Sequence, residues 1–280
     1  MTGEPRFGIN TYSYMLQEDA LGCVLRWAER GFRDFEIMMH PGHLWPDETG
    51  GAQRMKIRRA FEESALRLVT INMPNVDLNV AGTTAEMRAY SLVMLEKFVQ
   101  LAGDLGAAGV VVGPGKPNPL MPAPRERLTS YFLAALDRLA PVAARSGTAL
   151  WVENMPFSFL PDASSIMSVL DGHGDPTIGI VYDLANGYFI REEPQAGLKA
   201  VKSRLKLVHI SDTPLAAYRH SAIGTGTLPV AGVPHLLRNS GYDDVLMLEI
   251  VSGEPDAAIL DSCERLKKLN WRSGAMRLAS

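Results

Sequence analysis

Residues 178–183 read Ile178-Gly179-Ile180-Val181-Tyr182-Asp183, a largely apolar run that ends on one carboxylate. Three other runs repeat the pattern. Leu150-Trp151-Val152 stops at Glu153, Leu205-Lys206-Leu207-Val208 at His209, and Val245-Leu246-Met247-Leu248 at Glu249. Apolar continuity of this kind suits strands covered on both faces, as in a parallel sheet. The four ionisable residues follow one another at intervals of 30, 26 and 40 residues, each about one strand-plus-helix unit.

Working outward, eight such runs span the chain: Phe7–Thr11, Asp34–Met38, Arg67–Asn72, Gly109–Val112, Ala149–Glu153, Ile178–Asp183, Leu205–Ile210 and Val245–Ile250. Between them lie amphipathic patterns at about 19–30, 51–66, 84–106, 124–146, 162–171, 194–203, 230–240 and 255–270. Thr83-Thr84 with Glu86 resembles a helix N-terminal cap, Gly31 and Gly147 follow helices, and Pro194 suits a first helical turn. Eight units in 280 residues give about 35 residues each, the size of repeats that close into a (β/α)8 barrel of TIM type. A doubly wound open sheet is the rival, but it announces itself with a glycine-rich first turn. Here the first strand runs into Tyr12-Ser13-Tyr14. No linker or low-complexity block divides the sequence, so residues 1–280 are expected to form one α/β domain.

The composition is that of a globular chain, with 46% hydrophobic and 21% charged residues. Twenty-eight basic and 31 acidic residues give a net charge of −3, which offers nothing to nucleic acid or an anionic membrane. Cys23 and Cys263 fall in helical patterns without the spacing of a metal knuckle or redox pair, and are expected to be reduced core thiols. No signal-peptide run or apolar stretch of about 18 residues occurs. The expected location is the cytoplasm.

In a barrel of this type the strand C-termini form the open face. Glu153, Asp183, His209 and Glu249 would therefore aim at one point from four consecutive strands. A single carboxylate or imidazole at a strand end is usually a cap, an ion pair or a satisfied core group; four in register are harder to obtain that way. Three carboxylates forced together repel and raise one another's pKa. A divalent cation removes that problem, and this oxygen-rich set with one imidazole favours Mn²⁺ or Mg²⁺, with Co²⁺ or Zn²⁺ also accommodated.

These residues resemble the xylose isomerase-like superfamily of sugar isomerases and epimerases, which also includes apurinic-site endonucleases. The resemblance covers nearly the whole chain. It rests on the Glu153, Asp183, His209, Glu249 series, the His209-Ile210-Ser211-Asp212 strand end, Gly224-Thr225-Gly226, and Gly241-Tyr242. It implies a barrel with one divalent metal and a small carbohydrate substrate or sugar phosphate. It also implies that Glu153 and Glu249 are acid/base pair and metal ligands together. The expected reaction removes a proton beside a carbonyl to give an enediolate, then returns it. In ketose 3-epimerases of that group a polar Arg-x-Glu-like cluster follows the fifth-strand Glu, where this chain has Phe157-Ser158-Phe159. Those enzymes also carry a His where this chain has Asn186.

Asn186, Arg219 and His220 are expected to contact substrate, as are Glu36, His40 and Trp45 in the segment after the second strand; for Glu36 the alternative is a buried ion pair within the barrel, and for His40 it is solvent. His43 could face either the pocket or solvent. Asn10, Tyr12, Asn72 and Asn75 are candidate polar lining. Asp212 is expected to orient His209 or the loop, and Gly224 and Gly226 to shape the turn rather than bind phosphate. A lyase or dehydratase of a keto-sugar, keto-inositol or dehydroshikimate type would use the same cage, and a non-catalytic sugar-binding barrel is a further alternative. The endonuclease reading fits poorly, since the third strand ends Asn72-Met73-Pro74 without a His. Barrels of the group often pair, so a homodimer is an expected arrangement.

Overall fold

The computed structural model describes residues 5–73 and 78–269. Eight parallel strands close in sequence order, β1 pairing with both β2 and β8. They are β1 (Phe7–Asn10), β2 (Asp34–Met38), β3 (Arg67–Asn72), β4 (Gly109–Val112), β5 (Ala149–Glu153), β6 (Gly179–Asp183), β7 (Leu205–Ile210) and β8 (Leu246–Leu248). The helices among the described residues are α1 (Ala20–Glu29), α2 (Gly51–Glu63), α3 (Ala85–Leu105), α4 (Arg125–Ser146), α5 (Ala163–His173), α6 (Leu184–Phe189), α7 (Pro194–Val201), α8 (Val233–Ser240) and α9 (Pro255–Lys267). This is the expected (β/α)8 barrel, with two departures. The short helix α6 starts directly after β6, and β8 ends one residue before Glu249. Asn75 lies outside the described residues.

The helix ends follow local chemistry. Thr84 caps α3 by accepting from the Met87 N–H, Gly106 and Gly147 end α3 and α4 in the left-handed region, and Pro194 opens α7. Cys23 and Cys263 are buried in α1 and α9 as free thiols.

Two apolar cores result. A large one lies between the barrel and its helices. A small one fills the lumen, where Val69, Val111, Trp151, Val181, Leu207, Val245 and Met247 meet. The lumen accepts an indole because two residues against its ring, Gly109 of β4 and Gly179 of β6, lack side chains. A Cβ on Gly109 would stand 2.5 Å from the Trp151 ring, and one on Gly179 2.8 Å from it. Below this layer, Asp34 accepts from Arg6 at 3.0 Å and Arg67 at 2.5 Å, and Arg67 continues to Asp244 at 2.6 Å. These pairs tie the strands at the face away from the ligand cluster.

Gly109→Ala is expected to destabilise the barrel by about 1–3 kcal/mol through overpacking against Trp151. An unchanged urea midpoint would show that the indole does not fill the lumen beside it.

Candidate metal centre

Side chains alternate along a strand, so a residue two places beyond a lumen residue also points inward. Trp151 is followed in this way by Glu153, Val181 by Asp183, Leu207 by His209 and Met247 by Glu249. The pairing Asp183↔His209 sets two of them side by side, and His209↔Met247 leaves Glu249 one step higher. One ligand atom from each of the four lies within 4.8 Å of every other, and all four residues are buried.

Asp183 is held from two directions. Its backbone N–H donates to Asn154 Oδ1 at 2.7 Å, while Asn154 Nδ2 donates to the Asp183 carbonyl at 3.0 Å. Asp183 is also the N-cap of α6, its Oδ1 accepting from the Asn186 N–H at 2.6 Å. Oδ2 is left buried with no hydrogen-bond partner, facing the cluster.

His209 is oriented by Glu36, which takes the buried ion pair rather than the substrate contact. Its Nδ1 faces Glu153 at 3.3 Å, Glu249 at 3.2 Å and Asp183 at 3.9 Å; its Nε2 meets Glu36 Oε2 at 3.1 Å. Glu36 is fully buried, and Asn10, Thr70 and Asn72 also donate to it. It stands beneath the imidazole rather than in the mouth as a substrate contact, because the β1–β3 register sets Asn10 beside Glu36 and Glu36 beside Thr70. Asn10 and Asn72 thereby serve Glu36, not the pocket lining. The geometry makes Nε2–H the donor to Glu36 and Nδ1 the ligand atom, a carboxylate–imidazole arrangement common behind metal ligands.

His220 is brought to the cluster. Its Nδ1 lies 3.0 Å from Ser211 Oγ, 3.4 Å from Glu249 and 3.7 Å from Asp183, and its Nε2 is 2.9 Å from the Tyr218 hydroxyl. Asn186 is also there, with Nδ2 3.4 Å from Glu153 and a buried, unpartnered Oδ1. Three other expected substrate contacts are not brought in. Trp45 packs on Phe98 of α3, with ring centroids 5.3 Å apart. His40 turns back to the Pro41 carbonyl at 2.8 Å, and Arg219 is exposed and makes no ion pair among the described residues. Strand register alone does not reveal where such loop residues lie.

His43 locks the β1 and β2 loops through Thr11 and the Glu18 carbonyl. Asp212 orients the loop, accepting from the N–H groups of Thr213, Gly224 and Leu228. Gly224, at φ 84°, shapes that turn. Tyr218, Asn154 and Thr70 were not foreseen; the last could have been found from its register with Glu36.

Electrostatics reflects the crowding. Burial, and after it Glu249, pushes the Asp183 carboxyl up; burial followed by Asp183 and Glu36 does the same for Glu153. Burial alone would lower His209, but Glu36 and Glu249 outweigh it and hold the imidazole well above its usual range. The Tyr12 hydroxyl is raised by burial, then by Glu249 and Glu153.

The residues fit a cation: three carboxylates and one imidazole converge, and the unpartnered Asp183 Oδ2 points into them. The fold and cluster define a barrel with a metal-competent carboxylate–imidazole site at its strand C-termini. The chain belongs to the xylose isomerase-like TIM barrel family, whose model matches residues 24–269. It is similar to a solved D-tagatose 3-epimerase-like protein, with TM-score 0.80 and 20% identity over 94% of this chain and 96% of that one. The 3-keto-D-glucoside 4-epimerase from E. coli gives TM-score 0.76 and 20% identity over 94% and 99%. The IOLI protein, solved with a zinc atom, gives TM-score 0.75 and 16% identity over 94% and 95%.

Two outcomes follow. Glu36→Gln is expected to weaken Mn²⁺ binding by about 10- to 100-fold while the fold persists, read by calorimetric titration; unaltered affinity would rule out its support of His209. Burial and the neighbouring Glu249 push the Asp183 carboxyl up to about 7, so a cation bound below that pH must displace its proton. Cation uptake should therefore release protons, with affinity rising as the pH climbs towards about 7. A flat profile would contradict the raised values.

Proposed function

We propose that the protein is a divalent-metal-dependent isomerase or epimerase of a small sugar or sugar derivative, with Mn²⁺ or Mg²⁺ favoured by the oxygen-rich donor set and Zn²⁺ also accommodated. The observation that carries this reading is the convergence of Glu153 and Glu249 on one buried point with Asp183 and His209. Of the structural relatives named above, one is a 3-keto-D-glucoside 4-epimerase and one is D-tagatose 3-epimerase-like, and both names refer to carbohydrates with a carbonyl. That agrees with the proposed chemistry.

A bound cation would supply positive charge to the substrate carbonyl and to the enediolate that forms from it. The protein's own groups do the rest. One of Glu153 and Glu249 takes the proton from the carbon beside the carbonyl; the C–H electron pair forms the C=C bond of the enediolate as charge passes to oxygen. The other glutamate returns a proton to the opposite face, inverting the centre. Asn186 Oδ1, buried and unpartnered, is placed to accept from a substrate hydroxyl. Burial of the cluster keeps bulk water from the enediolate, so reprotonation comes from a fixed carboxylate, and solvent deuterium enters when the glutamates exchange their own protons between turnovers.

A dehydratase on the same site is the second reading. It is favoured by one observation: His220, 3.4 Å from Glu249, could protonate a departing hydroxyl. Proton NMR in D₂O separates the two, since epimerisation exchanges the proton beside the carbonyl and dehydration gives an enone or diketone.

Glu153→Gln and Glu249→Gln are each expected to lower turnover by about 10²- to 10⁴-fold. Exchange into a panel of ketoses and keto-glycosides measures it. Near-normal rates in both variants would overturn the acid/base assignment.

A further inference from the structure

Beside the cage, where the family's ketose 3-epimerases carry polar groups, this chain presents aromatic rings. Phe157, after β5, is 56% exposed and sits edge-on to Tyr218 with centroids 5.3 Å apart. Phe189, in α6, joins both rings at 6.0 Å and 5.3 Å. Tyr218 connects this cluster to the cage, since its hydroxyl meets His220 Nε2 and His220 Nδ1 faces Glu249.

Phe157 and Tyr218 form one wall of a cleft of ≈ 180 Å³, closed by Tyr12, Met155, Gly115 and Lys116. A cavity of about 150 Å³ is enough to admit one benzene-sized ring. The far wall is rigidly built. Asn79 donates to the Lys116 carbonyl and accepts from its N–H, both at 2.9 Å. Gly115 adopts φ 101°, and its carbonyl accepts from the Phe159 N–H at 3.1 Å, fastening this turn to the β5 loop. The Lys116 ammonium makes no ion pair among the described residues. The lining is thus amphipathic, combining aromatic rings with a donor, as a sugar ring has C–H faces and hydroxyl edges.

Resting on the reading of the cage as a carbohydrate site, we propose that this cleft is a subsite for a second six-membered ring. The substrate is then a glycoside whose aglycone stacks against Phe157 and Tyr218, rather than a free monosaccharide. A free sugar held at the cage leaves Phe157 and Tyr218 partly exposed; a ring joined to it by a glycosidic bond covers them.

Calorimetric titration of the metal-loaded protein tests this with D-glucose, cellobiose and phenyl β-D-glucopyranoside. Cellobiose, phenyl glucoside or both should bind about tenfold more tightly than glucose, and the pair separates a sugar aglycone from an aryl one. Phe157→Ala should bring that preference close to unity, and Phe157→Trp should restore it, with thermal melting used to check that both variants fold. Equal affinity for glucose and both glycosides, no binding of either glycoside, or a preference that survives Phe157→Ala would each overturn the subsite. Deuterium exchange into ketoses reports separately on the cage: its absence would remove the isomerase reading while leaving a glycoside preference standing, and the reverse result would remove only the subsite.

Discussion

Three carboxylates share one buried point in this barrel, and much of the surrounding polar structure manages that repulsion. Each buried, unpaired charge costs several kcal/mol, so such a group survives only where something opposite stands against it. His209 does so within the protein, with its second nitrogen anchored to Glu36. Glu36 in turn is held by Asn10, Thr70 and Asn72, so that the stack runs from the imidazole down into β1, β2 and β3. On the other side Asn154 fixes the backbone of Asp183. Glu36, Asn10, Thr70, Asn72 and Asn154 thus serve to hold one imidazole and one carboxylate in place.

The apolar lumen is the other half of that arrangement. Trp151, Val181 and Met247 form an apolar floor beneath the three carboxylates. Such a floor offers the carboxylates little below, so their oxygens find partners upward and sideways, where a cation would sit. The glycines flanking Trp151 belong to the same logic, since they let one large ring close the base.

Much of this was legible in the sequence because a parallel strand has only one side-chain period. Five strands begin and end where their apolar runs do, and the four ligands could be named from the residue that interrupts each run. What period two does not encode is depth. Glu36 points inward as expected, yet it lies under His209 rather than above it, because depth depends on register with β1 and β3. Trp45 lies away from the cluster for a different reason: it sits on a loop whose course is set by packing against α3. Helix α6 was missed because Leu184-Ala185-Asn186-Gly187 is too short to show a helical pattern, and its start depends on a cap that is itself a strand residue.

That cap links two parts of the molecule. One oxygen of Asp183 holds the first turn of α6, the other faces the cation position, and α6 carries Phe189 into the aromatic cluster. No loop separates β6 from α6 to absorb a shift. The wall that would grip a ligand is therefore geared to the ion through a single side chain, and a change in how Asp183 coordinates would be felt as a tilt of that wall.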